Sequence, residues 1–168
     1  RRKRHGTTDR RGQIVGRVCI TERPEIIETR SRIGDWEADT VIGRQGGAVL
    51  VTLAERKSRF SIIVKAENKT ATAVSAAITK SMAPHASNVH TLTYDNGKEF
   101  AYHQQVSDGL DAKGFFAHPY HSWERGLNEN TNGLIRQYLP KGKSFDNLTD
   151  HEVQTIMDKL NNRPRRAV

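Results

Sequence analysis

The stretch DWEADTVIGRQGGAVLVTLAERKSRFSIIVKA, residues 35–66, decides the fold. It contains three runs rich in branched and aromatic residues, at 36–42, 48–54 and 60–66, separated by GRQGG (43–47) and the charged ERKSR (55–59). Branched side chains fill a pleated surface well, while glycine and clustered charge interrupt it, so the runs read as strands. Connections this short join antiparallel neighbours. The stretch therefore predicts a three-stranded antiparallel meander.

Outward from the meander the pattern changes period. Residues 70–82 are alanine-rich, can be capped by Asn68 or Thr70, and stop before Pro84, which predicts a helix. Residues 89–94 read as a short buried strand broken by Asn96-Gly97, residues 98–110 as a helix, and residues 115–117 as a strand closed by Pro119. From 123 to 138, Leu127, Thr131, Leu134, Ile135 and Tyr138 recur on one helical face, leaving Glu129, Asn132, Gly133 and Arg136 on the other. A last helix is expected over 149–160, where Thr149 and Glu152 have capping-box spacing. Three hairpin strands followed by alternating helices and strands predict an α/β fold. Its mixed five-stranded sheet has three antiparallel strands, then two further strands, with helices on both faces, the element order of ribonuclease H-like domains.

The 168 residues carry a formal charge of +8, unevenly placed. Residues 1–32 hold ten Lys/Arg against four acids and so supply +6 of it. That segment, polar and without a sustained period, reads as a basic arm or linker, following a DNA-binding domain outside this sequence, and residues 33–168 as the folded domain. Basicity favours a polyanion as partner, and an arm of this charge suits DNA phosphates. Cys19 is the only cysteine, so no internal disulfide and no cysteine-rich zinc site can form. No apolar run approaches the length of a membrane span. A soluble, cytoplasmic, nucleoid-associated protein is expected.

Three carboxylates stand out. Asp39 lies mid-strand, where aspartate is disfavoured and costly to bury without compensation. Asp95 follows an apolar strand in the box TYDNGKEF (93–100), at a strand-to-turn junction where functional side chains project, although Asp-Asn-Gly also makes an ordinary turn. Glu129 lies on the polar side of the 123–138 helix. Brought together, three carboxylates can hold hard divalent cations that bridge protein and phosphate oxygens, and two such ions can serve the attacking and leaving oxygens of an in-line displacement. Chemistry of that kind needs no serine or cysteine nucleophile, and no convincing triad of either sort is present.

These residues resemble the catalytic domain of the IS-thirty family of bacterial insertion-sequence transposases, DDE recombinases with a ribonuclease H-like, retroviral-integrase-like fold. The resemblance covers roughly residues 34–163. It rests on Trp36-Glu37-x-Asp39 followed by Val41-Ile42-Gly43, on ERKSRF (55–60), on DNGKEF (95–100) and on NENTNGL (128–134). The family's third carboxylate follows the second after 33 residues, and 33 residues separate Asp95 from Glu129 here, which selects Glu129 over Glu124. The resemblance implies that Asp39, Asp95 and Glu129 are catalytic metal ligands for two Mg²⁺ or Mn²⁺ ions with DNA bound. It implies hydrolysis at transposon ends and strand transfer by the freed 3′-hydroxyl, with double-stranded DNA as partner and a homodimer or higher multimer compatible with it.

Around the carboxylates, Asn96 and Glu99 are expected to orient the Asp95 loop. Lys98, Arg125, Asn128, Asn132, Arg136, Lys141 and Lys143 are candidates for DNA contact. Trp36 and Trp123 are expected in the core rather than stacked on bases. His118 and His121 have a spacing that invites zinc, which the absence of a cysteine pair argues against; one of them facing the catalytic pocket is the nearer expectation. Two other functions compete: a ribonuclease H-like nuclease without strand transfer, and a non-catalytic DNA-binding module.

Overall fold

The meander forms as β1 (Asp35–Ile42), β2 (Val49–Glu55) and β3 (Ser61–Ala66), each paired antiparallel with the next. These elements come from a computed structural model that describes residues 14–164. β4 (Thr91–Tyr94) and β5 (Lys113–Phe116) add in parallel, giving the order β3-β2-β1-β4-β5. The mixed five-stranded sheet is thus the one expected, and its layout is that of a ribonuclease H-like core.

Alternation along the strands divides the side chains between two layers. Trp36, Ala38, Val49, Val51 and Leu53 face one core, which is completed by Val74, Ile78 and Met82 of α2 (Ala71–Met82) and by Val106 and Leu110 of α3 (His103–Leu110). Val41, Leu50 and Ile63 face a second core with Ile135 of α4 (Gly126–Tyr138) and Val153 and Leu160 of α5 (Asp150–Asn161). Every residue of β2 is buried, as a strand covered on both faces must be.

Local chemistry sets the helix ends. The Thr70 hydroxyl accepts from Ala73 N at 3.3 Å and starts α2. At α5 the capping box closes in both directions: Thr149 Oγ1 accepts from Glu152 N at 3.2 Å, and Glu152 Oε2 accepts from Thr149 N at 2.8 Å. Thr149→Ala is accordingly expected to lower stability by about 1 kcal/mol, read as a shifted midpoint in urea with an unchanged slope.

The segment before β1 is only partly described, and the basic cluster at residues 1–11 lies outside the described residues. From residue 14 onward the chain docks on the body. Val18 O accepts from Phe116 N at 2.8 Å, and Cys19 pairs in parallel with Phe116, which covers the β5 edge. A short helix, α1 (Glu25–Glu28), buries Ile27 completely.

Candidate active site

Backbone register brings two of the three carboxylates together. β1 pairs with β4 as Asp35 with Thr91, Trp36 with Leu92 and Glu37 with Thr93, and two further steps set Asp39 beside Asp95. Adjacent strands run about 4.8 Å apart. Both residues therefore stand at the carboxyl end of the parallel pair, where open α/β sheets place their ligand crevices. Asp39 Oδ1 accepts from Thr40 N and Asp95 Oδ1 from Gly97 N, each at 2.8 Å. A Cβ on Gly97 would stand 2.8 Å from that Asp95 oxygen and 2.4 Å from Glu99 Oε2, so glycine is what lets the backbone N–H approach the carboxylate.

Helix α4 carries the third candidate, Glu129. Asn132 Nδ2 donates to Asp39 Oδ2 at 3.0 Å, while its carbonyl accepts from Thr52 Oγ1 at 3.0 Å. Glu129 lies three residues before Asn132, one turn away on the same strip of the helix, with its side chain exposed. Just ahead of α4, Arg125 is buried and spans the two aspartates, with Nη1 3.3 Å from Asp39 Oδ2 and Nη2 3.5 Å from Asp95 Oδ2. One cation thus already engages an oxygen of each carboxylate, and all the acidic donors are hard oxygens, as a divalent metal such as Mg²⁺ requires.

The start of α4 is anchored beneath the site by buried charge. Glu37, with no exposed surface, accepts from Asn128 N at 3.0 Å and from Arg56 Nη1 at 2.5 Å. Arg56, itself buried, also reaches Glu28 at 3.2 Å and Ile27 O at 3.3 Å. Glu28 in turn pairs with Arg23. Burial and the neighbouring Arg56 charge lower the Arg23 guanidinium to about 10. The sequence offered Glu37 only as part of the Trp36-Glu37-x-Asp39 motif, without a role, and its place two residues before Asp39 puts it on the same face of β1.

Several flanking residues take other positions than expected. Asn128 is completely buried and neither of its side-chain amide atoms has a partner among the described residues, so it is removed from the set that can touch DNA. Arg125 points inward at the carboxylates. Arg136 donates to Ile42 O at 2.7 Å, bracing α4 against β1. Lys98, Lys141 and Lys143 are exposed. Asn96 Nδ2 donates to Ala117 O at 2.7 Å and its carbonyl accepts from Arg17. Glu99 is buried between Thr40 Oγ1 at 2.9 Å and Lys69 Nζ at 3.0 Å. Trp36 is in the core, but Trp123 is 68% exposed and stacks on His121, because it falls in a short 3₁₀ segment ahead of α4 rather than on the helix's apolar face. His118 and His121 do line a cleft with Asp95, Asn96, Gly97 and Arg125. Glu124 is taken up by His118 and His121.

Burial, together with the Asp39 and Glu99 charges, raises the Asp95 carboxyl above its ordinary value against the opposing Gly97 N–H and Arg125. The folded site then favours the neutral acid, and stability falls as pH rises through the interval between the unfolded and folded pKa values. Asp95→Asn is expected to raise the melting temperature of the metal-free domain at neutral pH and to flatten its acid-range pH dependence, as thermal melts would read.

No family model matches the chain. It is 47% identical over 166 residues to the transposase for insertion sequence element IS4351 of Bacteroides fragilis, matching 99% of this chain and 51% of that protein. It is 40% identical to the transposase for IS1086 of Cupriavidus metallidurans, over 96% of this chain and 48% of the relative. To the transposase InsI for IS30A of Escherichia coli K12 it is 39% identical, over 99% and 44%. The chain spans about half the length of the curated relatives it matches. Among solved structures, a simian T-cell lymphotropic virus intasome chain superposes with a TM-score of 0.64 at 19% identity, over 81% of this chain and 51% of that one. The HTLV-2 integrase catalytic core domain, solved in complex with magnesium, gives 0.57 at 19% identity, over 77% and 86%. These two likenesses carry the fold.

Proposed function

Since this chain groups along nearly its whole length with insertion-sequence transposases of the IS-thirty family, we propose that it is their metal-dependent catalytic domain, with Asp39, Asp95 and Glu129 as the metal ligands. The observation that carries this reading is the pair of aspartates set side by side by strand register, with a single cation, Arg125, reaching both. Two Mg²⁺ or Mn²⁺ ions held there would polarise the scissile phosphate and activate the attacking oxygen.

The protein's own part is orientation. Asn132 and the Thr40 N–H fix the two oxygens of Asp39, and the Gly97 N–H fixes one oxygen of Asp95. Glu129 would join the group from the strip of α4 that Asn132 holds against Asp39. Arg125 can hand its charge from the carboxylates to an arriving phosphate, and Lys98 and Lys141 are exposed cations available to the DNA backbone. The reaction is hydrolysis of a phosphodiester at a transposon end, then attack of the freed 3′-hydroxyl on double-stranded target DNA, with no covalent protein intermediate. In this reading residues 1–32 are the basic arm or linker and residues 33–168 the catalytic unit. The protein acts in the cytoplasm at the nucleoid, as a dimer or higher multimer on DNA. Among the described residues no helix is long and apolar enough to cross a membrane.

The test is a calorimetric Mn²⁺ titration of the chain, wild type against Asp95→Asn. Binding that the substitution removes, in a domain that melts no earlier than wild type, supports the site. Absence of binding to the wild type sinks it, and salt-sensitive DNA binding that Asp95→Asn leaves intact would then favour the non-catalytic module. Cleavage without strand-transfer products would favour the nuclease.

A further inference from the structure

Between β5 and α4, three side chains outside the proposed catalytic group converge on one point. His118 Nδ1 lies 2.8 Å and His121 Nδ1 3.4 Å from the same oxygen, Glu124 Oε1, and the three ligand-type atoms fall within 4.8 Å of one another. Two ligand atoms each about 2.1 Å from a tetrahedral ion stand about 3.4 Å apart, so one of the three separations already fits and the others need only small side-chain rotations. The second carboxylate oxygen, Oε2, is occupied by the His118 N–H at 2.8 Å, which turns Oε1 toward the imidazoles.

A second, independent contact lies on the far side of His118. Its Nε2 stands 3.4 Å from Cys19 Sγ, on the segment that covers the β5 edge. An imidazole that ligates through Nδ1 carries its proton on Nε2 and is oriented by an acceptor there, as metal-bound histidines regularly are. His121 is held from its own side by stacking on Trp123, with ring centroids 4.3 Å apart. The sequence argument against zinc sought a cysteine pair; the structure instead supplies a glutamate as third ligand and puts the lone cysteine behind a histidine.

We propose that His118, His121 and Glu124 form a second metal centre for one ion of the Zn²⁺ class, with water completing its coordination and Cys19 accepting from His118. Two imidazoles select a borderline transition metal over Mg²⁺. The centre is separate from Asp39, Asp95 and Glu129 but shares the cleft with Asp95, and Glu124 immediately precedes Arg125. Its ion would tie the β5-to-α4 connection to the Cys19 segment and so hold Arg125 in place. The inference does not depend on the proposed catalytic function.

Co²⁺ titration of the whole chain, followed by visible absorption, tests it. One equivalent should bind with the d–d spectrum of a four- or five-coordinate site, should survive Asp39→Asn and Asp95→Asn, and should be displaced by Zn²⁺ but not by Mg²⁺. His121→Ala, a change at a partly exposed side chain that leaves the core intact, should weaken Co²⁺ binding by more than about a hundredfold, and Cys19→Ser by about ten- to a hundredfold without abolishing it. No such spectrum in the wild type, a spectrum unchanged in His121→Ala, or one lost in Asp39→Asn would overturn the proposal. A failed Mn²⁺ titration would count only against the catalytic reading.

Discussion

Asp39→Asn, Asp95→Asn and Glu129→Gln are each expected to lower strand transfer by at least about a thousandfold, about 4 kcal/mol of transition-state stabilisation. The assay supplies a DNA end with a free 3′-hydroxyl and a plasmid target, so that chemistry is read apart from end recognition. The three losses should not add, because ligands of one metal group act as a unit. The physical basis is that Asp39 and Asp95 offer oxygens at one point, already close enough for Arg125 to span them at 3.3 and 3.5 Å. Asp95→Asn can keep the Gly97 N–H on its amide oxygen, whereas Asp39→Asn keeps one of its two accepted bonds, from Thr40 N or from Asn132. Rates near wild type for any one of the three would remove that residue from the metal group. Glu124→Gln is the informative comparison, since Glu124 is committed to the two histidines and its loss should leave the ligands of the catalytic ions untouched.

Arg56→Ala should be the most destabilising single change in the domain, by about 3–5 kcal/mol, because it leaves Glu37 charged and buried without its partner. Glu37 has no exposed surface and Arg56 is 4% exposed, so solvent cannot step in for either. Urea denaturation measures the loss. Replacing both partners with apolar residues of similar volume should cost much less than either single substitution, which separates an orphaned charge from a lost contact. The effect should extend to activity, since Glu37 also receives the Asn128 N–H at the start of α4 and thereby sets where Glu129 stands. A cost of under about 1 kcal/mol for Arg56→Ala would mean that water or the neighbouring Arg23 compensates Glu37.

Local signals carried most of the architecture. The β-rich runs and their glycine and charged separators located β1 to β3 to within a residue or so, and the Thr149/Glu152 spacing located the start of α5. The 98–110 helix was legible only in outline, as a single-turn 3₁₀ segment at Lys98–Phe100 precedes α3. What the sequence did not reveal depends on distant partners. Arg125 was a candidate for DNA contact because the aspartates it spans are 30 and 86 residues away in the chain. Asn128 looked like a polar helix position until Glu37, 91 residues earlier, claimed its backbone N–H. Trp123 looked like core because aromatics usually are, yet a short 3₁₀ segment ahead of α4 presents it. The candidate carboxylates themselves were legible through their motifs and spacing, while the histidine and glutamate cluster beside them needed the turn geometry to appear.

The three proposed ligands are not mounted alike. Asp39 lies in β1 and Asp95 directly follows its parallel neighbour β4, so their separation is set mainly by the inter-strand ladder just before them. Glu129 is carried by α4, which is joined to the sheet by the Asn128 N–H on Glu37, by Asn132 on Asp39 and by the packing of Ile135. In the proposed site the spacing of the first two ligands is thus a property of the sheet, while the position of the third is a property of the Glu37 anchor under the start of α4.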